Sequence, residues 1–311
     1  MLVYIQQNYD YPNLIRQTPN LSGAWSGIQF TYEEVDTCDL IVVINHPQKD
    51  IKVKCRKGGR ILLIQEPPYE RNNYLTNYFP YFDKIISAFD KQAFEKVMNT
   101  QAALPWLINK SYDQLIDLKP DDSLKNDKIS WVTSNSNVNP GHQPRLQFLD
   151  TLKQSDVNID FFGRGINPIE DKFEGIYPYR YTLAIENYSN ADYWTEKIAD
   201  AFLCYTMPIY YGCKNIEDFF PKGSFIKIDI NKQEEAIEIM KDALKNKLWE
   251  TNKEAIIEAR NLVLNKYQFF PFIKELTNSL KLSDTYTVTN IPFAPQTRKN
   301  KIVEKIRNLF Q

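Results

Sequence analysis

The stretch YRYTLAIENYSNADYWTEKIADAFLCYTMPIYYG, Tyr179 to Gly212, concentrates the side chains best suited to chemistry. An apolar, aromatic-rich run ends in Glu186 and Asn187, a polar loop follows, and Asp192 or Thr195 stands where a helix N-cap is wanted. Glu196 and Lys197 then fall in the first helical turn. Open α/β sheets bind ligands at the carboxyl ends of their strands, which is where this loop belongs. Helix-end amides and the Lys197 ammonium can face a diphosphate there, while a carboxylate accepts hydrogen bonds from ribose hydroxyls. The same Glu and Lys also fit the solvated first turn of an ordinary helix, and spacing alone does not separate the two readings.

A second feature is ILLIQEPPYE, Ile61 to Glu70, an apolar run ending in Gln65-Glu66-Pro67-Pro68. It sets the Glu66 carboxylate at the carboxyl end of a strand beside a rigid turn, a position suited to a general base. His46 and His142 are the alternative bases, although a lone histidine is more often structural. The dinucleotide signature G-x-G-x-x-G and the P-loop are both absent, as is a D-x-D pair for a divalent ion. A nucleotide diphosphate bound here must therefore have its charge balanced by cationic side chains and helix-end amides.

These residues need a scaffold, and the sequence supplies alternating elements. Leu2–Ile5, Leu40–Ile44, Ile61–Ile64 and Lys84–Ser87 read as continuous apolar strands, the pattern of parallel strands covered on both faces. A polar run, Lys119–Lys128, reads as a linker. A second series follows: strand Ile129–Thr133, helix Arg145–Lys153, strand Val157–Phe162 with its Gly163-Arg164-Gly165 end, strand Tyr179–Ile185 and helix Trp194–Tyr205. Strands at Pro208–Tyr211 and Ser224–Ile228 come next. Helices are expected near Glu234–Leu248, Lys253–Asn265 and Phe272–Leu280. Strands alternating with helices imply an α/β fold of two Rossmann-like lobes facing each other across a cleft. The expected domains are 1–125, 126–282 and a tail, 283–311. Within the tail, Ser283–Arg298 reads as a loose connector. TRKNKIVEKIRNLFQ after it forms a basic amphipathic helix, suited either to an anionic membrane surface or to packing on its own lobe.

With 311 residues, the chain is about twice a typical ~150-residue domain, in keeping with two lobes. Lys and Arg total 38 against 39 Asp and Glu, a balance that argues against nucleic acid as a partner. Cys38, Cys55, Cys204 and Cys213 lie far apart with no CxxC pair, so no structural metal is expected. The opening MLVYIQQNYDYP lacks a basic-then-apolar leader, and no apolar run approaches the ~20 residues of a membrane span. A reducing cytoplasm is the expected location, with the basic tail as a candidate contact to the inner face of the membrane.

The Tyr179–Gly212 stretch resembles the signature of glycosyltransferase family 10, the α-1,3/1,4-fucosyltransferases, of bacterial type. The resemblance rests on Tyr179, Tyr181, Leu183, Glu186 and Asn187, then Tyr193, Thr195, Glu196 and Lys197. Ala201, Pro208, Ile209, Tyr210 and Gly212 continue it. DFFPKGSFIKIDI, Asp218 to Ile230, is similar to the family's Pro-x-x-Ser-Phe-Ile stretch. Departures are Ile185, Tyr188 and Trp194, and Pro67 replaces the serine of the family's Glu-Ser-Pro.

That resemblance implies a GT-B fold and an inverting transfer of fucose from GDP-β-L-fucose to a glycan hydroxyl, in α-1,3 or α-1,4 linkage, without a metal or other cofactor. It implies Glu66 as the catalytic base, Glu196 on the ribose and Lys197 on the phosphates, with Asn187 and Tyr193 beside them. In WVTSNSNVNPGHQPRLQFL, Trp131 to Leu149, it places Arg145 on the pyrophosphate. Arg164 and Glu186 are further candidates for donor contact. A same-fold inverting transferase using another nucleotide sugar is the alternative, and a bilobal binding protein without chemistry is a second.

Overall fold

The computed structural model describes residues 1–10, 12–89 and 96–294. Among the described residues the alternating runs form two compact units: Met1–Asn13, Gly23–Ala102 and 273–294 make unit 1, while Leu14–Ser22 and Ala103–Phe272 make unit 2.

Unit 1 contains β1 (Leu2–Gln7), β2 (Ala24–Trp25), β3 (Ile28–Thr31), β4 (Thr37–Cys38), β5 (Leu40–Ile44), β6 (Ile51–Arg56), β7 (Arg60–Leu63), β8 (Lys84–Ile86) and β9 (Val97–Met98). Its main sheet has the order β2-β3-β1-β5-β7-β8-β9 and is parallel apart from the β2–β3 pair. All five residues of β5, LIVVI, are buried, as a strand covered on both faces requires. By contrast β6, IKVKCR, alternates buried and exposed, so a search for unbroken apolar runs passes over it.

Unit 2 is built from β10 (Asn126–Val132), β11 (Ile159–Phe162), β12 (Tyr179–Ile185), β13 (Met207–Tyr211) and β14 (Ile226–Lys227). The sheet order is β11-β10-β12-β13-β14, parallel throughout. Its helices are α1 (Tyr112–Asp117), α2 (His142–Gln154), α3 (Lys172–Ile176), α4 (Glu196–Leu203), α5 (Gln233–Lys245), α6 (Leu248–Thr251) and α7 (Lys253–Leu262); α8 (Phe269–Ser279) starts in unit 2 and ends in unit 1. On α4, Ile198, Ala201 and Phe202 are fully buried, and each large side chain contributes roughly 1.5–3 kcal/mol by leaving water. In both sheets the strand order reverses next to the first strand, between β1 and β5 and between β10 and β12. Such reversals open a crevice at the carboxyl ends, the usual ligand position in doubly wound folds.

Two expectations need correction. Lys119–Lys128 is not a free linker: β10 starts at Asn126, and the Lys125 ammonium is buried, donating to the carbonyls of Cys204 (2.6 Å) and Tyr179 (3.2 Å) and to the Thr206 hydroxyl. Trp106, Ile108 and Leu115 join the unit 2 core, which is why this unit begins at Ala103 rather than after residue 125. Nor is Ser283–Arg298 a loose connector where it is described. Tyr286–Ile291 forms β15, antiparallel to β6 over six residue pairs. Its alternating Thr and Val suit a strand, and Thr289 and Ile291 are buried. The expected basic helix in the tail lies outside the described residues. Among those described, no helix is long and apolar enough to cross a membrane.

Candidate active site

In unit 2 the crevice is framed by two loops, one from β10 to α2 and one from β12 to α4. Thr195 caps α4, its side chain accepting from the Lys197 amide. This cap fixes Glu196 and Lys197 at the start of the helix, where amides and dipole favour negative charge. Gly141 precedes α2 without a side-chain cap.

Glu186 follows β12 and is 1% exposed. Its Oε1 accepts from the Thr195 amide at 2.8 Å, the Thr195 hydroxyl lies within reach of both carboxylate oxygens, and Lys197 Nζ sits 3.1 Å from Oε2. Glu186 is thus turned into the protein, with its acceptors engaged by the residues that begin α4. Burial pushes its carboxyl up, against the pull of Lys197. Gly212 makes this packing possible, since a Cβ there would lie 2.3 Å from Glu186 Cγ.

Lys197 also lies 3.7 Å from Glu196. Burial works against the ammonium, yet Glu186 and Glu196 together hold its proton more tightly than usual. Lys172 of α3 extends the network, 3.5 Å from Glu196 and 3.4 Å from Asp200. Burial would raise Glu196, but Lys197 and Lys172 outweigh it and hold the carboxyl at about 2. Asp200, fully buried, accepts from the amides of Leu107 and Ile108, and burial pushes it up to about 6 despite Lys172. Glu196 is therefore a fixed anion at the helix start, and Lys197 a fixed cation beside it.

On the other loop, Arg145 is 4% exposed. It donates to the Thr133 hydroxyl, to the Ser134 carbonyl at 2.7 Å and to the Ser136 carbonyl at 3.0 Å, while its Nε has no partner among the described residues. Burial lowers its proton affinity, and its charge acts on Lys197. The guanidinium thus braces the backbone that leaves β10. The turn after β11 closes on the same loop. A Cβ on Gly163, at φ +116°, would fall 1.7 Å from the Thr133 carbonyl oxygen, so only glycine fits there. Arg164 is exposed, and its carbonyl accepts from the Asn135 amide at 3.2 Å. Asn187 is half-buried, and Tyr193 is buried edge-on to Tyr188 at 5.8 Å. His142 Nδ1 accepts from the Val138 amide, a structural task in the β10–α2 loop.

In unit 1, Glu66 stands half-buried beyond the end of β7. The preceding residue is locked in place: the Gln65 amide donates to Asn45 Oδ1 at 2.8 Å, its side-chain amide to the Ala102 carbonyl, and the Tyr9 hydroxyl to its Oε1 at 2.9 Å. Burial and the Glu66 charge both raise the Tyr74 phenol. His46 lies edge-on to Tyr74, and its Nδ1 is 3.0 Å from the Pro47 carbonyl.

Residues 122–249 match the model of glycosyltransferase family 10 (fucosyltransferase), C-terminal part. Over this segment, less than half of the chain, the protein is similar to glycosyltransferase family 10. It includes Arg145, Arg164, Glu186, Asn187, Tyr193, Glu196 and Lys197, and leaves Glu66 outside. Mouse alpha-(1,3)-fucosyltransferase 4 is 35% identical over 124 residues, 38% of this chain and 28% of that protein. Human 4-galactosyl-N-acetylglucosaminide 3-alpha-L-fucosyltransferase 9 is 32% identical over 124 residues, covering 38% and 33%. The chain thus spans a third or less of the length of these curated relatives. Among solved structures, an alpha1,3-fucosyltransferase crystallised with GDP covers 89% of this chain and 88% of its own, with TM-score 0.52 and 20% identity. At that identity the likeness is one of fold, and the fold is GT-B.

Within the family 10 segment, sequence reasoning located the charged residues and the Thr195 cap. It missed Lys172, which lies outside any motif and reaches Glu196 only through tertiary packing, and Asp200, one turn after Glu196 on α4, whose pairing with Lys172 no spacing announces.

Proposed function

We propose that the protein is an inverting fucosyltransferase that uses GDP-β-L-fucose. The observation that carries this reading is the placement of Lys197 and Glu196 at the start of α4, and of the Arg145-braced loop, after the two neighbouring strands β12 and β10 at the strand-order reversal, with the Arg145 charge felt at Lys197. Lys197 and the helix-end amides stabilise the charge that grows on the departing diphosphate. Arg145 serves the same charge, through the loop it shapes and through its own field. Glu196, held ionised, accepts from the ribose hydroxyls, with Asn187 and Tyr193 beside it; Arg164 supplies a third cation, exposed at the rim. No divalent ion is needed in this scheme.

Glu66 is the proposed base. It takes the proton of an acceptor hydroxyl as that oxygen forms its bond to the anomeric carbon. The bond from that carbon to the diphosphate breaks on the opposite side, and GDP leaves with the electron pair. A β-linked donor thereby yields an α-linked product. The relatives' names support α-1,3 linkage to a glycan.

The test is GDP release from GDP-fucose with and without a glycan acceptor, repeated with a panel of other sugar nucleotides. Acceptor-dependent release from GDP-fucose alone is expected. Preferred turnover of another sugar nucleotide would replace the donor, and no acceptor-dependent release from any donor would overturn the reading.

A further inference from the structure

A polar cavity of about 330 Å³ lies in unit 1, lined by Ile5, Gln6, Gln7, Tyr9, Asp10, Asn13, Tyr32 and Gln48. Gln7 ends β1, Tyr32 directly follows β3, and Gln48 sits in the loop after β5. The cavity therefore lies at carboxyl ends of the sheet, beside its strand-order reversal, where doubly wound folds take ligands. Its volume is near the lower end of the ~300–1,000 Å³ typical of small-ligand sites, the scale of a sugar ring rather than of an extended chain.

The chemistry of the walls narrows the ligand. Side-chain amides of Gln6, Gln7, Asn13 and Gln48 both donate and accept, matching hydroxyls that do the same. The rings of Tyr9 and Tyr32 offer flat apolar faces with polar tips. No Lys, Arg or His is among the described lining residues, and the charged one is Asp10, so an anionic group finds no counter-charge. The walls are also braced: the Tyr32 hydroxyl donates to Gln7 Oε1 at 3.1 Å, and the Gln7 amide to the Tyr9 carbonyl at 2.5 Å. Tyr9 in turn holds Gln65, the neighbour of Glu66, at 2.9 Å. An occupant of the cavity is thus coupled through a single side chain to the residue preceding the proposed base.

We propose that this cavity seats a neutral sugar residue of the acceptor and selects against anionic glycans. Its role as an acceptor site rests on the transferase reading above; its affinity for a neutral sugar does not.

The experiment uses the full chain, with neutral oligosaccharides and their carboxylate-bearing sialylated forms as probes. Binding is measured by ligand-observed NMR without donor, and acceptor KM in the turnover assay. Tyr32→Ala and the surface variant Gln48→Ala should each weaken neutral-glycan binding by about 3- to 10-fold, the loss of one or two hydrogen bonds, with donor KM unchanged. Asp10→Asn should narrow the preference for neutral over sialylated probes. Binding indifferent to all three substitutions, or a wild-type preference for sialylated probes, overturns the proposal. If neutral glycans bind through these residues but no donor turns over, the cavity assignment stands and the transferase reading fails.

Discussion

Lys197 Nζ lies 3.1 Å from Glu186 Oε2, and the same carboxylate accepts from the amide of Thr195, the residue that caps α4. One buried side chain thus holds both the start of the helix and its leading cation. Glu186→Gln keeps the shape and the bond from Thr195 but removes the charge that fixes the ammonium. A hydrogen bond to a charged group is worth about 1.5–3 kcal/mol, so GDP affinity should fall by about tenfold or more. Calorimetry on the variant checks this, with circular dichroism to show an intact fold. Unchanged affinity would mean that Lys197 needs no positioning.

Gly212→Ala should reach the same site indirectly. Its new Cβ would press on Glu186 Cγ at 2.3 Å, and overpacking of this kind costs about 1–3 kcal/mol. The melting temperature and GDP affinity are expected to fall together. A drop in stability with full GDP affinity would separate the packing of Glu186 from the site.

The two carboxylates around Lys172 predict opposite pH responses. Glu196 is held at about 2 in the folded chain, below the ordinary ~4.3 of a free glutamate. Its stabilisation is present above that ordinary value and is lost as pH falls from about 4 toward 2. Asp200 is raised to about 6, so the folded state binds its proton more tightly than the unfolded chain does. That contribution is complete below about 4 and is lost as pH rises through about 6. Urea titrations at several pH values should therefore show Asp200→Asn flattening the decline between pH 4 and 6, and Glu196→Gln flattening the acid side. A wild-type slope in either variant contradicts the corresponding assignment.

Glu66→Gln should leave GDP affinity intact, because Glu66 lies outside the family 10 segment and in the other unit. Turnover should fall by about 10²–10⁴-fold, the usual contribution of a positioned base. Near-normal kcat would move the role to another group, with His46 the next to test.

Much of this was legible in the residues because local rules agreed with the fold. The run Tyr179–Ile185, its polar loop and the Thr195 cap before Glu196 carry strand, loop and helix start in their own side chains. Strands β6 and β15 were not legible. Alternating Lys in one, and hydroxyls with nearby prolines in the other, resemble surface or linker, and their burial appears only when they pair with each other. The charges were found and their partners were not. Lys197 and Glu186 are eleven residues apart, Lys172 and Asp200 twenty-eight, and no periodicity links such separations. Arg145 shows the same limit, since its position at the head of α2 was readable but its bonds to the Ser134 and Ser136 carbonyls were not.

The most direct measurement is calorimetric titration of GDP into the wild-type chain and into Lys197→Met, both in excess chelator. We expect GDP to bind the wild type without added divalent ions, and the variant to lose most of its GDP affinity. No GDP binding by the wild type, or equal affinity in the two proteins, would contradict the account.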